Sequence, residues 1–265
     1  MKSRIKGVCI ALMLIATMPL LAQTMDQANA AYIRKDYRLA FDITRVLAER
    51  GDDDAQFGLG GMFSQGRGVP QDDKQAAIWV RKAAEQGNRD AQFSLGILYF
   101  NGRGVPKDYK EVVVWYRKAA EQGNATAQYA LGSMYATASG VAKDMPQAVV
   151  WFRRAAIQGD AKAQLELGVI YATGIRGFQK NSREAVEWFS KAAEQGNTDA
   201  QTMLGSMYTS GEGVEKDLQK SYFWTLLSST SGDQRGIQLR DLVGQSLTAS
   251  QRAKAEADAA VWKPK

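Results

Sequence analysis

Few side chains in this sequence could do chemistry. The 265 residues contain no histidine. That removes His general acid/base catalysis, every triad built on His, and His-ligated metals. The one cysteine is Cys9. Paired carboxylates remain, in Asp52-Asp53-Asp54 and Asp72-Asp73. A hydrolase could use such a pair, but each stretch sits where a helix is expected to start, and a helix cap explains acids there without catalysis. Gly66-Arg67-Gly68 and Gly102-Arg103-Gly104 resemble pieces of a phosphate loop. A phosphate loop needs a preceding strand and a following Lys-Ser/Thr, so these read as turns. The single Ser-x-x-Lys is Ser3-Arg4-Ile5-Lys6, at the very start of the chain. No catalytic residue, cofactor or metal ligand is assigned, and the expectation is a protein that is not an enzyme.

Residues 1–22 read as a signal peptide. Lys2, Arg4 and Lys6 precede an apolar run from about Gly7 to Ala22 that Thr17 and Pro19 interrupt. The run is short for a spanning helix and no stop-transfer pattern follows it. Cleavage is expected after Ala22. Ala28-Asn29-Ala30 fits the small-residue rule better but lies in what reads as the first structural helix. The mature chain is then expected in the periplasm, or secreted, without cysteine. Removing Lys2, Arg4 and Lys6 lowers the formal charge from +6 to +3. So small a surplus does not point to nucleic acid.

The elements that would position any site repeat. Ala-Gln pairs stand at 55–56, 91–92, 127–128, 163–164 and 200–201, and tryptophans at 79, 115, 151, 188 and 224. The period is 36 residues, with one insertion in "GIRGFQKNS" (174–182). In "AQFSLGILY" (91–99) Ala, Leu and Tyr fall at i, i+4 and i+8, one face of a first helix. Beside each Leu stands a glycine, at 60, 96, 132, 168 and 205, which is costly inside a helix and implies a very close neighbour. Around each tryptophan, apolar residues at i, i+3, i+4 and i+7 make the buried stripe of a second helix. Truncating such a tryptophan should cost about 3–5 kcal/mol.

Caps frame the second helices. Asp72, Asp108, Asp144, Asn181 and Asp217 are N-caps. Gln75, Glu111, Gln147 and Glu184 would complete capping boxes, which Lys220 breaks in the fifth repeat. Glycines at 51, 87, 123, 159, 196 and 232 suit left-handed C-caps. The expected organisation is an N-terminal capping half-repeat (23–50), repeats at 51–86, 87–122, 123–158, 159–195 and 196–231, and C-terminal capping helices (232–265).

"AQFSLGILYFNGRGVPKDY" and "VVWYRKAAEQGN" resemble Sel1-like repeats, relatives of the tetratricopeptide repeats. The resemblance runs from 36 to about 231. The third loop, "TASGVAKD", lacks the first glycine and the proline, and the fifth second helix is degenerate. The resemblance implies an all-α, right-handed α-solenoid of antiparallel helix pairs that binds a protein partner. It also implies an exported bacterial adaptor or scaffold in the cell envelope; a monomer is expected. Some relatives carry a β-lactamase label. Neither the serine nor the zinc route has its residues in the mature chain.

Two surfaces could bind. The residue two after each repeat alanine points away from the buried face: Phe57, Phe93, Tyr129 and Leu165, then Thr202. On a concave side these would make a rail for a peptide or helix, or the rings pack between adjacent first helices. Stacking of the same aromatics on an envelope glycan is the second functional reading. A second stripe, Ile78, Val114, Val150 and Phe223, stands one residue before each tryptophan and is interrupted by Glu187. The basic pairs Arg81-Lys82, Arg117-Lys118 and Arg153-Arg154 are expected to stay solvated near helix C-termini.

Overall fold

The computed structural model describes residues 24–265. Among them are fourteen α-helices and no strand. Two compact bodies divide the chain, one ending at Gln122 and the other beginning at Gly123. The first holds α1 (Met25–Ile33), α2 (Tyr37–Glu49), α3 (Asp53–Gln65), α4 (Asp73–Glu85), α5 (Arg89–Asn101) and α6 (Tyr109–Glu121). The second holds α7 (Ala125–Thr137), α8 (Met145–Ile157), α9 (Ala161–Thr173), α10 (Ser182–Glu194), α11 (Thr198–Ser210), α12 (Leu218–Thr230), α13 (Gln234–Gly244) and α14 (Ala249–Val261). Within each body consecutive helices pack on one another as far as α13, and α14 lies on α12. The architecture is a solenoid of helical hairpins.

Local chemistry sets each boundary. Asp72, Asp108, Asp144, Asn181 and Asp217 accept from the first-turn backbone of the second helices. Asp52, Asn88, Asn124, Asp160 and Asn197 do the same for the first helices. The expected reciprocal bonds from residues 75, 111, 147 and 184 are not formed; Glu111 instead accepts from the Trp115 indole at 3.0 Å. The reciprocal box does form at Thr248–Gln251 and at Thr24–Gln27. First helices end in a left-handed residue, glycine at 66, 102, 174 and 211 but Ala138 (φ 60°) in the glycine-poor third loop.

The close approach expected at the first-helix glycines is present, and its partner is the residue after each tryptophan. A Cβ on Gly96 would lie 2.5 Å from the Tyr116 ring, and one on Gly168 2.5 Å from the Phe189 ring. Val80, Phe152 and Thr225 fill the same place at the other repeats. Trp115, Trp151 and Trp188 are buried, whereas Trp79 and Trp224 are only half-buried. The degenerate α12 has a packing reason. Ser221, Thr225 and Ser228 are fully buried, and the small Ser228 lets α13 approach through Gly236.

Candidate functional site: first-helix faces and the joints between repeats

The joints explain why one phrase keeps returning. Four of the buried Ala-Gln glutamines donate through Nε2 to a carbonyl of the preceding second helix: Gln56 to Ala48 at 3.1 Å, Gln92 to Ala84 at 3.1 Å, Gln164 to Ala156 at 3.0 Å, Gln201 to Ala193 at 3.3 Å. In the first four repeats the Oε1 accepts from the glutamine that ends the same repeat. Gln86 reaches Gln56, Gln122 reaches Gln92, Gln158 reaches Gln128 and Gln195 reaches Gln164, all at 2.8 Å. Gln86 and Gln122 also donate to the carbonyls of Gly51 and Gly87, at 2.9 and 2.8 Å. A chain of amides thus satisfies polar groups that burial would otherwise penalise.

The carboxylates singled out in the sequence serve these joints. Asp52 caps α3 through Ala55 N–H at 2.7 Å, and Asp53 and Asp54 each accept from Asn88 Nδ2 at 2.9 Å. Asp72 caps α4. Asp73 accepts from Arg103, with Nη2 at 2.7 Å, and the Arg103 guanidinium holds its carboxyl below the usual carboxylate range. Arg103 therefore belongs to a strap and not to an anion-binding loop. The second glycine of that loop, Gly104, lies against the Asp73 carbonyl where a Cβ would have no room. No group of three or more possible metal ligands occurs among the described residues.

The basic pairs are exposed or half-buried, as the solvated expectation has it, and they also make contacts. Arg81 donates to the Tyr99 hydroxyl at 2.7 Å, and Arg153 to the Tyr171 hydroxyl. The second member lies over the indole three residues back: Lys82 on Trp79 at 3.8 Å, Lys118 on Trp115 at 4.1 Å, Arg154 on Trp151 at 4.6 Å. Cation–π contact of this kind covers the indoles and ties the charges down.

In the first body, Phe57 and Phe93 are half-buried. Phe57 lines a cavity of about 300 Å³ with Met25, Tyr32 and Gln65. The Phe93 ring lies 5.2 Å from Tyr116. In the second body, Tyr129 and Leu165 are half-buried as well. The Tyr129 ring lies 5.8 Å from Phe152, and burial pushes its hydroxyl above the usual phenol value. Leu165 packs on the cluster that includes Phe189. Thr202 is buried and donates to Asp233 at 2.6 Å. Burial opposes the Asp233 carboxylate, yet hydrogen bonds from Thr202 and Arg235 hold it below its usual range. Of the second stripe, Ile78, Val114 and Val150 are exposed, but Phe223 is half-buried in a cavity beside α14. The amide chain has a sequence signal, a glutamine 30 or 31 residues after the glutamine of each of the first four Ala-Gln pairs.

The model of the Sel1 repeat matches residues 53–88, 89–124, 125–160, 161–197 and 198–233. A solved Sel1 repeat protein from Oxalobacter formigenes is 31% identical, with a TM-score of 0.74 over 92% of this chain and 98% of that one. A protective antigen present in uropathogenic Escherichia coli strains, with an SLR fold, is 37% identical, with a TM-score of 0.78 over 91% of this chain. The chain spans 52% of that antigen's length. No curated protein matches it. The five matched repeats, over most of the chain, place it in the Sel1 repeat family, whose members are generally non-catalytic scaffolds for protein–protein interaction.

Proposed function

We propose that the protein is an exported interaction scaffold of the cell envelope, which binds a protein partner on its first-helix faces and performs no chemistry. The observation that carries this reading is one position per repeat. Around Phe57, Phe93, Tyr129 and Leu165 the Ala and Leu neighbours are fully buried, while these four side chains stay half-buried. Phe93 and Tyr129 each rest one ring face against a second-helix ring. Held that way, a side chain loses little rotamer freedom when a partner covers it, which favours anchor residues.

Export rests on the sequence of residues 1–22, which lies outside the described residues. Cleavage after Ala22 would leave α1 whole, with its cap Thr24. Cleavage after Ala30 would remove most of a helix whose Ala28 and Ala31 are buried. No described helix is long and apolar enough to cross a membrane. The test is affinity capture from envelope extract, with Phe57→Ala/Phe93→Ala/Tyr129→Ala as control. A protein enriched by the wild type and lost with the folded variant supports the reading. Equal capture by both moves the contact elsewhere, and glycan alone overturns the protein-partner assignment.

A further inference from the structure

The amide chain stops one residue short of completion. At the end of the fifth repeat, Ser231 stands where Gln86, Gln122, Gln158 and Gln195 end the others. The backbone there is unchanged: Ser231 caps α12 at φ −85°, ψ 3°, and Gln195 caps α10 at φ −84°, ψ 3°. Gln201 is still oriented as its counterparts are, donating to the Ala193 carbonyl, and is 2% exposed. Its Oε1 accepts no hydrogen bond among the described residues. Gln201 lines a cavity of about 450 Å³, together with Gly196, Leu226, Ser231, Ala259 and Trp262.

Both acceptors that a repeat-ending glutamine uses in the first body have their equivalents in this cavity. Gln122 donates to Gln92 Oε1, thirty residues back, and to the Gly87 carbonyl, thirty-five back. Counted from Ser231, those positions are Gln201 and Gly196, and both line the cavity. Leu226, Leu227, Ala259 and Trp262 flank them, with Thr230 and Glu256 also in the lining, so a donor that reaches Gln201 meets a largely apolar lining with few polar groups to fix its orientation.

We propose that this cavity binds the primary carboxamide of a glutamine side chain on a partner peptide, which completes the amide chain from outside. A carboxamide has two N–H groups for two acceptors and a short apolar stem for the walls. A carboxylate of the same shape has no N–H to offer and would set its oxygen against Gln201 Oε1. This site is separate from the first-helix faces, so either proposal can fail alone.

The test uses the purified protein, 15N-labelled, with two capped peptides: Ala-Glu-Gln-Gly-Asn and the same peptide with Glu in place of Gln. The Gln peptide is expected to shift the Gln201 side-chain amide and the Ser231 and Trp262 signals. The Glu peptide should bind at least about tenfold more weakly, since it loses both N–H donors and two such bonds together are worth about that much or more. Ser231→Gln should supply the carboxamide internally, abolish peptide binding and raise the melting temperature. Ser231→Ala, which cannot reach Gln201, should bind as the wild type does and controls for folding. Absence of shifts with the Gln peptide, equal binding of the two peptides, or undiminished binding to Ser231→Gln would each overturn the proposal.

Discussion

Gln122 donates to the buried Gln92 at 2.8 Å, thirty residues back along the chain. The same bond recurs in three other repeats, so each of the first four repeats is closed by the glutamine that ends it. Gln122→Ala removes this bond and the one to Gly87 O, and leaves Gln92 Oε1 short of a donor. The expected loss is about 1–3 kcal/mol, read from urea unfolding.

Gly96 gives Tyr116 its place. Gly96→Ala would set a methyl 2.5 Å from the Tyr116 ring and is expected to destabilise by about 1–3 kcal/mol. Truncating Tyr116 frees that space, so Gly96→Ala/Tyr116→Ala should cost clearly less than the two single changes added together. Additive losses in a double-mutant cycle would mean that the two do not share the space.

Ala138 holds a left-handed backbone that glycine holds in the other four loops. For alanine that conformation costs about 1–2 kcal/mol, partly offset by glycine's greater freedom when unfolded. Ala138→Gly should therefore stabilise the protein by about 0.5–1 kcal/mol. Thermal melts of the variant and the parent check it.

Tyr116 also sets an alkaline limit. Burial pushes its hydroxyl up to about 12 from an ordinary 10. The folded-state value is raised and the neutral form is the favoured one. Its contribution is therefore fully present below pH 10 and is lost as pH rises through about 12. Absorbance at the phenolate band should show late-titrating tyrosine signal, and Tyr116→Phe should lose the part that titrates near 12.

Much of this fold was legible in the sequence because its period, caps and glycines are local signals. The Asp and Asn caps work as expected, and so does the requirement for a close neighbour at Gly96 and Gly168. What filled those places was not legible. Tyr116 was legible as a residue of the buried stripe, and Phe189 holds the same position in the fourth repeat, but which glycine each meets depends on how two helices face each other. The contacts of the basic pairs were not legible for a similar reason. Lys82 and Arg81 read as solvated charge on a helix end and stay exposed or half-buried, but spacing does not show that they meet the indole three residues back and a tyrosine on the next helix. The half-buried state of Phe57 and Phe93 reflects contact with α1 residues and with Tyr116, which spacing alone does not reveal.

The most direct measurement of the central claim is hydrogen exchange on the complex with the captured partner. The account expects new protection at Phe57 and Phe93 in α3 and α5, and at Tyr129 and Leu165 in α7 and α9. Protection confined to the second helices, around exposed Ile78, Val114 and Val150, would contradict it and put the contact on the opposite stripe.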